Sequence, residues 1–103
     1  MIITFIGGGN MAGALIGGML KKGFDARDIR VVEIIASARE KLAGDFGVAC
    51  YAWPEAAVPG SDVVVLAVKP QQMREVARSI GPHVGTALVL SIAAGIRLVD
   101  LKR

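Results

Sequence analysis

Ile2-Ile3-Thr4-Phe5-Ile6-Gly7-Gly8-Gly9-Asn10-Met11-Ala12, with the segment running on to Lys22, is the stretch whose reading decides the fold of this 103-residue chain. A short run of β-branched and aromatic residues meets three consecutive glycines, and a segment of helical pattern follows. That order predicts a strand, a tight turn and a helix opening in direct succession. The glycines fit the pattern G-x-G-x-x-G/A as Gly7, Gly9 and Ala12. Gly7 is expected to allow the sharp turn out of the strand, and Gly9 to let a pyrophosphate approach bare backbone. Ala12 is small enough for the helix to lie against the strand. The unpaired N–H groups and the positive dipole end of the helix would face the phosphates. A glycine-rich turn that serves packing alone is the alternative. The strand before it and the helix after it are the context that dinucleotide binding requires.

Size and composition narrow the field. The chain is 53% hydrophobic and 20% charged with a mean hydropathy of +0.55, rich for a free-standing soluble domain. Apolar strands buried on both faces of a parallel sheet account for it, and so does apolar surface meant for a further domain. A single domain is expected. No segment approaches the roughly 20 apolar residues of a membrane helix, and the first residues lack the basic leader of a signal peptide. The single Cys50 excludes an internal disulfide, fits a reducing compartment, and is read as a small core or strand residue. A net charge of +3 suits an anionic cofactor, but scattered basic residues with few aromatics make no nucleic-acid signature.

In chain order, strands are predicted at residues 2–6, 29–35, 48–51, 62–68 and 87–92, with helices at 10–22, 37–46 and 70–80 and one helical turn after Trp53. Leu15, Ile16, Met19 and Leu20 supply the first helix's apolar stripe, Lys21 and Lys22 suit its last turn, and Gly23 is its expected C-terminal cap. The small residues Ala12, Gly13, Gly17 and Gly18 imply close backbone approach. Ser37 with Glu40 has the spacing of a capping box, and Gly47 ends that helix. Met73, Val76, Ala77 and Ile80 read as core, while Arg74, Glu75 and Arg78 face water. Trp53 is read as packing under a loop, with stacking near an adenine as the alternative. His83 is read as a surface loop residue rather than a base.

Glu33 lies 21 residues beyond Ala12, close to the spacing of about 20 at which an acid reaches the adenosine ribose hydroxyls. Its alternative is a solvated charge at a strand end. The alternation of strands and helices with short connections predicts a doubly wound, Rossmann-like α/β domain with strand order 3-2-1-4-5 and helices on both faces. The ligand crevice is expected where the first and fourth strands part, at their C-terminal ends. Three small or bare-backbone stretches converge there: Gly7-Gly8-Gly9, Ala67-Val68-Lys69-Pro70 and Ala93-Ala94-Gly95.

Taken together, Phe5-Ile6-Gly7-Gly8-Gly9-Asn10-Met11-Ala12, Ala67-Val68-Lys69-Pro70-Gln71 and Ser91-Ile92-Ala93-Ala94-Gly95-Ile96 resemble the N-terminal domain of the pyrroline-5-carboxylate reductases. The resemblance covers essentially the whole chain. It implies a cytoplasmic enzyme of proline biosynthesis that transfers hydride from NADH or NADPH to the C=N carbon of Δ1-pyrroline-5-carboxylate, giving L-proline. It further implies a C-terminal helical domain, absent from this chain, that binds most of the imine substrate and makes the homo-oligomer. By matching position, Ile6, Gly7, Gly8, Gly9, Asn10 and Met11 would hold the pyrophosphate. Ala67, Val68, Lys69 and Pro70 would line the ribose and nicotinamide side, with Lys69 adding a positive charge. Ile92, Ala93 and Ala94 would wall the nicotinamide pocket and Gly95 would keep its rim open. No catalytic residue is assigned to this stretch, no metal is expected, and catalysis would be mostly positioning.

One departure bears on the cofactor. Many members of the family carry a small polar residue or an Asn-Arg pair after the second strand, where this chain has Glu33-Ile34-Ile35. A carboxylate repels a 2′-phosphate, so NADH or dual use is expected over strict NADPH preference, with Arg39 the one nearby cation able to answer a phosphate. The competing functions are the cofactor domain of another β-hydroxyacid, 6-phosphogluconate or prephenate type of dehydrogenase, and a nucleotide-sensing module without chemistry. Ala67-Val68-Lys69-Pro70 and Ser91-Ile92-Ala93-Ala94-Gly95 argue against the former.

Overall fold

Ile3–Ile6 form β1, which pairs in parallel with two strands distant in sequence: Ile3 stands opposite both Ile29 and Val63, and Ile6 opposite both Val32 and Leu66. The structure, a computed structural model, describes residues 1–92 and, at Asn10 and Pro70, the backbone alone. The predicted contributions of Ala93, Ala94 and Gly95, and the further helix that the sequence pattern begins at Ile96, lie outside the described residues. Around β1 run α1 (Asn10–Lys21), β2 (Ile29–Val32), α2 (Ala36–Phe46), β3 (Ala49–Tyr51), α3 (Pro54–Ala57), β4 (Val63–Leu66), α4 (Met73–Ile80) and β5 (Leu88–Ser91). Every pairing is parallel, and the order is β3-β2-β1-β4-β5 as expected from the alternation.

Successive side chains of β1 point to opposite faces, so one strand feeds two cores. Ile3 and Phe5 pack with Ile29, Val31 and Val65 against Ala12 and Ile16 of α1 and Leu42 of α2. Ile6 packs with Val32, Val64 and Leu66 against Ala57 and Val58 at α3 and Ile80 of α4. Thr4 also points to this second face and is fully buried. Its hydroxyl pairs with the Ser61 hydroxyl at 2.6 Å, and both reach the Ala57 carbonyl oxygen. At the head of the strand the Ile2 N–H donates to Asp62 Oδ2 at 2.7 Å. Arg30 Nη1 holds the carbonyls of Ala57 and Pro59 at 2.8 and 3.1 Å, which ties the α3 turn to the sheet.

The helix ends follow local chemistry. Gly23 takes φ +102° after α1, the Gly23 N–H returns to the Leu20 carbonyl, and the Phe24 N–H returns to that of Met19. This left-handed stop satisfies carbonyls that α1 would otherwise leave open. Gly47, at φ +70°, ends α2 in the same conformation. Gly13 and Gly17 face Phe46, whose ring stands 3.9 and 3.4 Å from where their β-carbons would be. That contact brings α1 against α2.

Several expectations need correction. The capping box does not form, because α2 starts at Ala36 with Ile35 as its cap residue and no side-chain cap. The second strand ends at Val32 rather than at residue 35, so Glu33 stands just past it. Leu15 is 41% exposed, leaving Ala12 and Ile16 as the buried residues of α1. On α4, Ala77 is exposed, while Met73 and Val76 are half-buried against the second core and Ile80 is buried. The helix itself begins at Met73, after a tighter 3₁₀ turn over Pro70–Gln72. Trp53 does not pack beneath a loop; it is 64% exposed.

Candidate functional site

Gly7 leaves β1 at φ +101°, a conformation that side-chain-bearing residues rarely adopt. Its N–H donates to the Val32 carbonyl at 2.8 Å, and the Ala67 N–H donates to the Ile6 carbonyl at 2.8 Å. The tips of β2, β1 and β4 are thereby laced together at the level where the chain turns into α1. A β-carbon on Gly7 would meet the Ala67 carbonyl oxygen at 2.5 Å, so the turn and the close approach both require glycine.

The other two glycines differ from one another. A β-carbon on Gly8 would lie 2.6 Å from Leu42 Cδ1 and 3.2 Å from Glu33 Oε1, so Gly8 is bare because α2 and Glu33 close over it. Gly9 has nothing within 4 Å on that side. It is exposed and is the cap residue of α1, with no side-chain hydrogen bond on the helix mouth among the described side chains. A bare, open backbone at a helix N-terminus is what an approaching anion needs.

These tips open onto a cavity of about 940 Å³ bordered by Ile6, Gly7, Gly8 and Gly9, by Val32 through Ile35, and by Ala67, Val68 and Lys69. Its size lies near the upper end of the roughly 300–1,000 Å³ of small-molecule sites. Ala52, Trp53, Pro54 and Glu55 form the wall beyond β3, and Gln72, Glu75, Val76 and Ser79 form the wall from α4. Three carboxylates, Glu33, Glu55 and Glu75, face one cation, Lys69, among the residues that border the cavity. The Ser79 hydroxyl donates to Glu55 Oε1 at 3.4 Å and joins α4 to α3 along the rim.

Glu33 is half-buried and is held from both sides. Oε1 accepts the Gly8 N–H at 3.0 Å and Oε2 accepts the Ile35 N–H at 2.9 Å. Arg39 reaches back from α2, and its Nη1 donates to the carbonyls of Glu33 and Ile34, each at 2.8 Å. Glu33 thus performs from before the helix the service that the Ser37 and Glu40 spacing had suggested from within it. Cys50, half-buried on β3, has its thiol pushed up by desolvation, partly offset by the charge of Arg39.

The structure brings the predicted residues Ile6 through Gly9, Glu33 and Ala67 through Lys69 to one cavity. Met11 is exposed on the first turn of α1. Asn10 opens that helix, and Pro70 opens the 3₁₀ turn. Ile92 donates its N–H to the Leu66 carbonyl at 3.0 Å and packs against the core on the α1 face. His83 lies in a 3₁₀ turn after α4 and is half-buried. The α4 wall was not anticipated, because Glu75 and Ser79 fall on the face that reads as solvated. The signal available for them was position, on the helix that follows a strand tip beside the switch in strand order.

A parallel sheet in this order, with a glycine turn at the tip of its middle strand and a cavity above it, defines a Rossmann-like α/β domain. Residues 2–95 match the family of NADP oxidoreductases, coenzyme F420-dependent, and the chain belongs to that family. It is 44% identical over 97% of its length to a pyrroline-5-carboxylate reductase of Pseudomonas aeruginosa, of which it covers 37%. It superposes with a TM-score of 0.85 and 32% identity on the pyrroline-5-carboxylate reductase of Coxiella burnetii, over 97% of this chain and 38% of that one. The pyrroline carboxylate reductase of Plasmodium falciparum with NADP bound shares the fold, with a TM-score of 0.78 and 21% identity over 99% of this chain and 37% of that one. The chain therefore spans somewhat over a third of the length of these relatives.

Proposed function

We propose that this chain is the cofactor-binding domain of a pyrroline-5-carboxylate reductase and takes NADH or NADPH. The observation that carries the reading is Gly9, a bare and open residue at the uncapped mouth of α1 beside the 940 Å³ cavity. The residues present fit the cofactor. Ile6, Gly7, Gly8, Gly9, Asn10 and Met11 would hold its pyrophosphate, and Glu33 its adenosine ribose. Ala67 through Pro70 would line the ribose and nicotinamide side; the resemblance further assigns the nicotinamide wall to Ile92, Ala93 and Ala94 and its open rim to Gly95. The cofactor, once bound, supplies the hydride, and this chain binds it, orients it and keeps water from it.

In the whole protein the hydride acceptor would be the C=N carbon of Δ1-pyrroline-5-carboxylate, giving L-proline. A helical domain beyond this chain would hold that imine and make a homo-oligomer. The likeness to reductases of that name along 97% of the chain supports this, and the lone Cys50 suits a cytoplasmic setting.

Trp53 borders the cavity and is the sole tryptophan, so its fluorescence should report binding directly. Saturable quenching by NADH or NADPH, matched by calorimetric heat, is the expected result. Absence of both signals for both cofactors would overturn the reading. Residues 1–103 alone are expected to form no proline; turnover at the rate of a full-length reductase would refute the assignment of the substrate site to a further domain.

A further inference from the structure

We propose that Arg30 is a positioning residue for the bound dinucleotide, acting through the α3 wall of the cavity; this rests on the cofactor-domain reading above. Arg30 itself does not border the cavity, whereas Trp53, Pro54 and Glu55 at the head of α3 do. It stands opposite Thr4 in the register of β1 and β2, so both side chains rise from one face of the sheet, beneath the tail of α3. Its Nη1 carries two N–H groups, matching the two carbonyls it serves, Ala57 at 2.8 Å and Pro59 at 3.1 Å. The Ala57 carbonyl oxygen also receives the hydroxyls of Ser61 and Thr4, at the longer distances of 3.3 and 3.4 Å. The Arg30 bond is the shortest of the three and the charged one, which is the stronger kind. Among the described residues the one ion pair joins Arg27 to Asp25, so the charge of Arg30 goes to carbonyls rather than to a carboxylate.

The turn passes this anchoring forward. The Val58 N–H returns to the Pro54 carbonyl at 2.9 Å and the Ala56 N–H to that of Trp53 at 3.2 Å, so residues 53–58 move as one hydrogen-bonded unit. Burial of Ala57 and Val58 sets how deep that unit sits, but apolar contact has no direction. The directional bonds at its tail settle where it lies along the sheet. Its head is then held in place on the cavity that Glu33, Ile34 and Ile35 also border. A wall fixed before binding leaves less ordering for the dinucleotide to impose.

The test is calorimetric titration of the chain with NADH on wild type, Arg30→Met, Arg30→Lys and Ile29→Val, each below its own melting temperature. The anisotropy of Trp53 fluorescence is read before ligand is added. Arg30→Met should bind NADH at least fivefold more weakly and let Trp53 reorient more freely, and Arg30→Lys should recover part of both. Ile29→Val trims the opposite core and should move neither reading. A loss as large there marks a merely structural effect and overturns the proposal. So does an affinity within twofold of wild type, or an unmoved anisotropy, in folded Arg30→Met. In wild type itself NADH should slow hydrogen exchange at the Ala56 and Val58 amides; no added protection there overturns the proposal whether or not the variants fold. Failure of wild type to bind NADH and NADPH overturns the cofactor-domain reading itself, so the two failures are told apart.

Discussion

Gly7 and Ala67 touch where two strand tips meet: a β-carbon on Gly7 would stand 2.5 Å from the Ala67 carbonyl oxygen, and φ at Gly7 is +101°. A β-carbon on Gly9, two residues on, would meet nothing within 4 Å among the described residues, and Gly9 has an ordinary φ of −74°. One glycine is therefore demanded by the fold and the other is not. Gly7→Ala should cost roughly 2–4 kcal/mol of stability, from backbone strain and overpacking together. Gly9→Ala should change stability by less than about 0.5 kcal/mol, yet weaken dinucleotide binding. Urea melts beside cofactor titrations check both; a stable Gly7→Ala or an unstable Gly9→Ala would contradict this division.

The hydroxyls of Thr4 and Ser61 form a polar island within the second core. Thr4→Val leaves Ser61 with the Ala57 carbonyl alone and should cost about 1–3 kcal/mol, the usual penalty for disturbing a buried hydrogen bond. Adding Ser61→Ala should cost less than the sum of the two single changes. A double-mutant cycle that returns strict additivity would deny the coupling.

Gly18 faces open space within α1, so nothing among the described residues requires its bareness. Gly18→Ala should stabilise by up to about 1 kcal/mol through helix propensity, visible as a rise of several degrees in Tm. Gly17→Leu should destabilise, because Phe46 lies 3.4 Å from the new β-carbon. Equal effects at the two positions would count against the α1–α2 contact.

The Cys50 thiol is held above its ordinary range by desolvation. The native state keeps that proton to higher pH than the unfolded chain does. Its contribution to stability is therefore intact below the unfolded thiol's pKa and is lost as pH rises through the folded one. Iodoacetamide at mildly alkaline pH should alkylate Cys50 more slowly in the native protein than in urea. Equal rates would show that burial does not protect it.

The fold was legible wherever a period or a turn residue speaks for itself. Gly7 at a strand end, Gly23 and Gly47 at helix ends and the aliphatic run of β4 led to the sheet order directly. The end of β2 was not legible: Ile34 and Ile35 look like strand, yet stand 77% and 61% exposed because the chain turns there to bring Glu33 back to Gly8. That bond joins residues 25 apart, and no local pattern encodes it. Ala77 and Leu15 misled for a related reason. Helical spacing marks a stripe, but the width of the buried part depends on how closely the sheet approaches. Of the cavity's border, the glycine turn and the Ala67-to-Lys69 stretch were legible in the sequence, and the α4 wall was not.

The buried pair of hydroxyls has a further consequence at some distance from itself. Val63-Val64-Val65-Leu66 are four aliphatic residues in a sheet covered on both sides, where displacement by one place changes hydrophobic cover little. Thr4 with Ser61, and Ile2 with Asp62, act as registration marks, since any offset would strand a hydroxyl or an amide. The alignment that sets Ala67 above Gly7 is thereby dictated from the tails of the strands, and the aim of the phosphate-facing tips is decided at their far end.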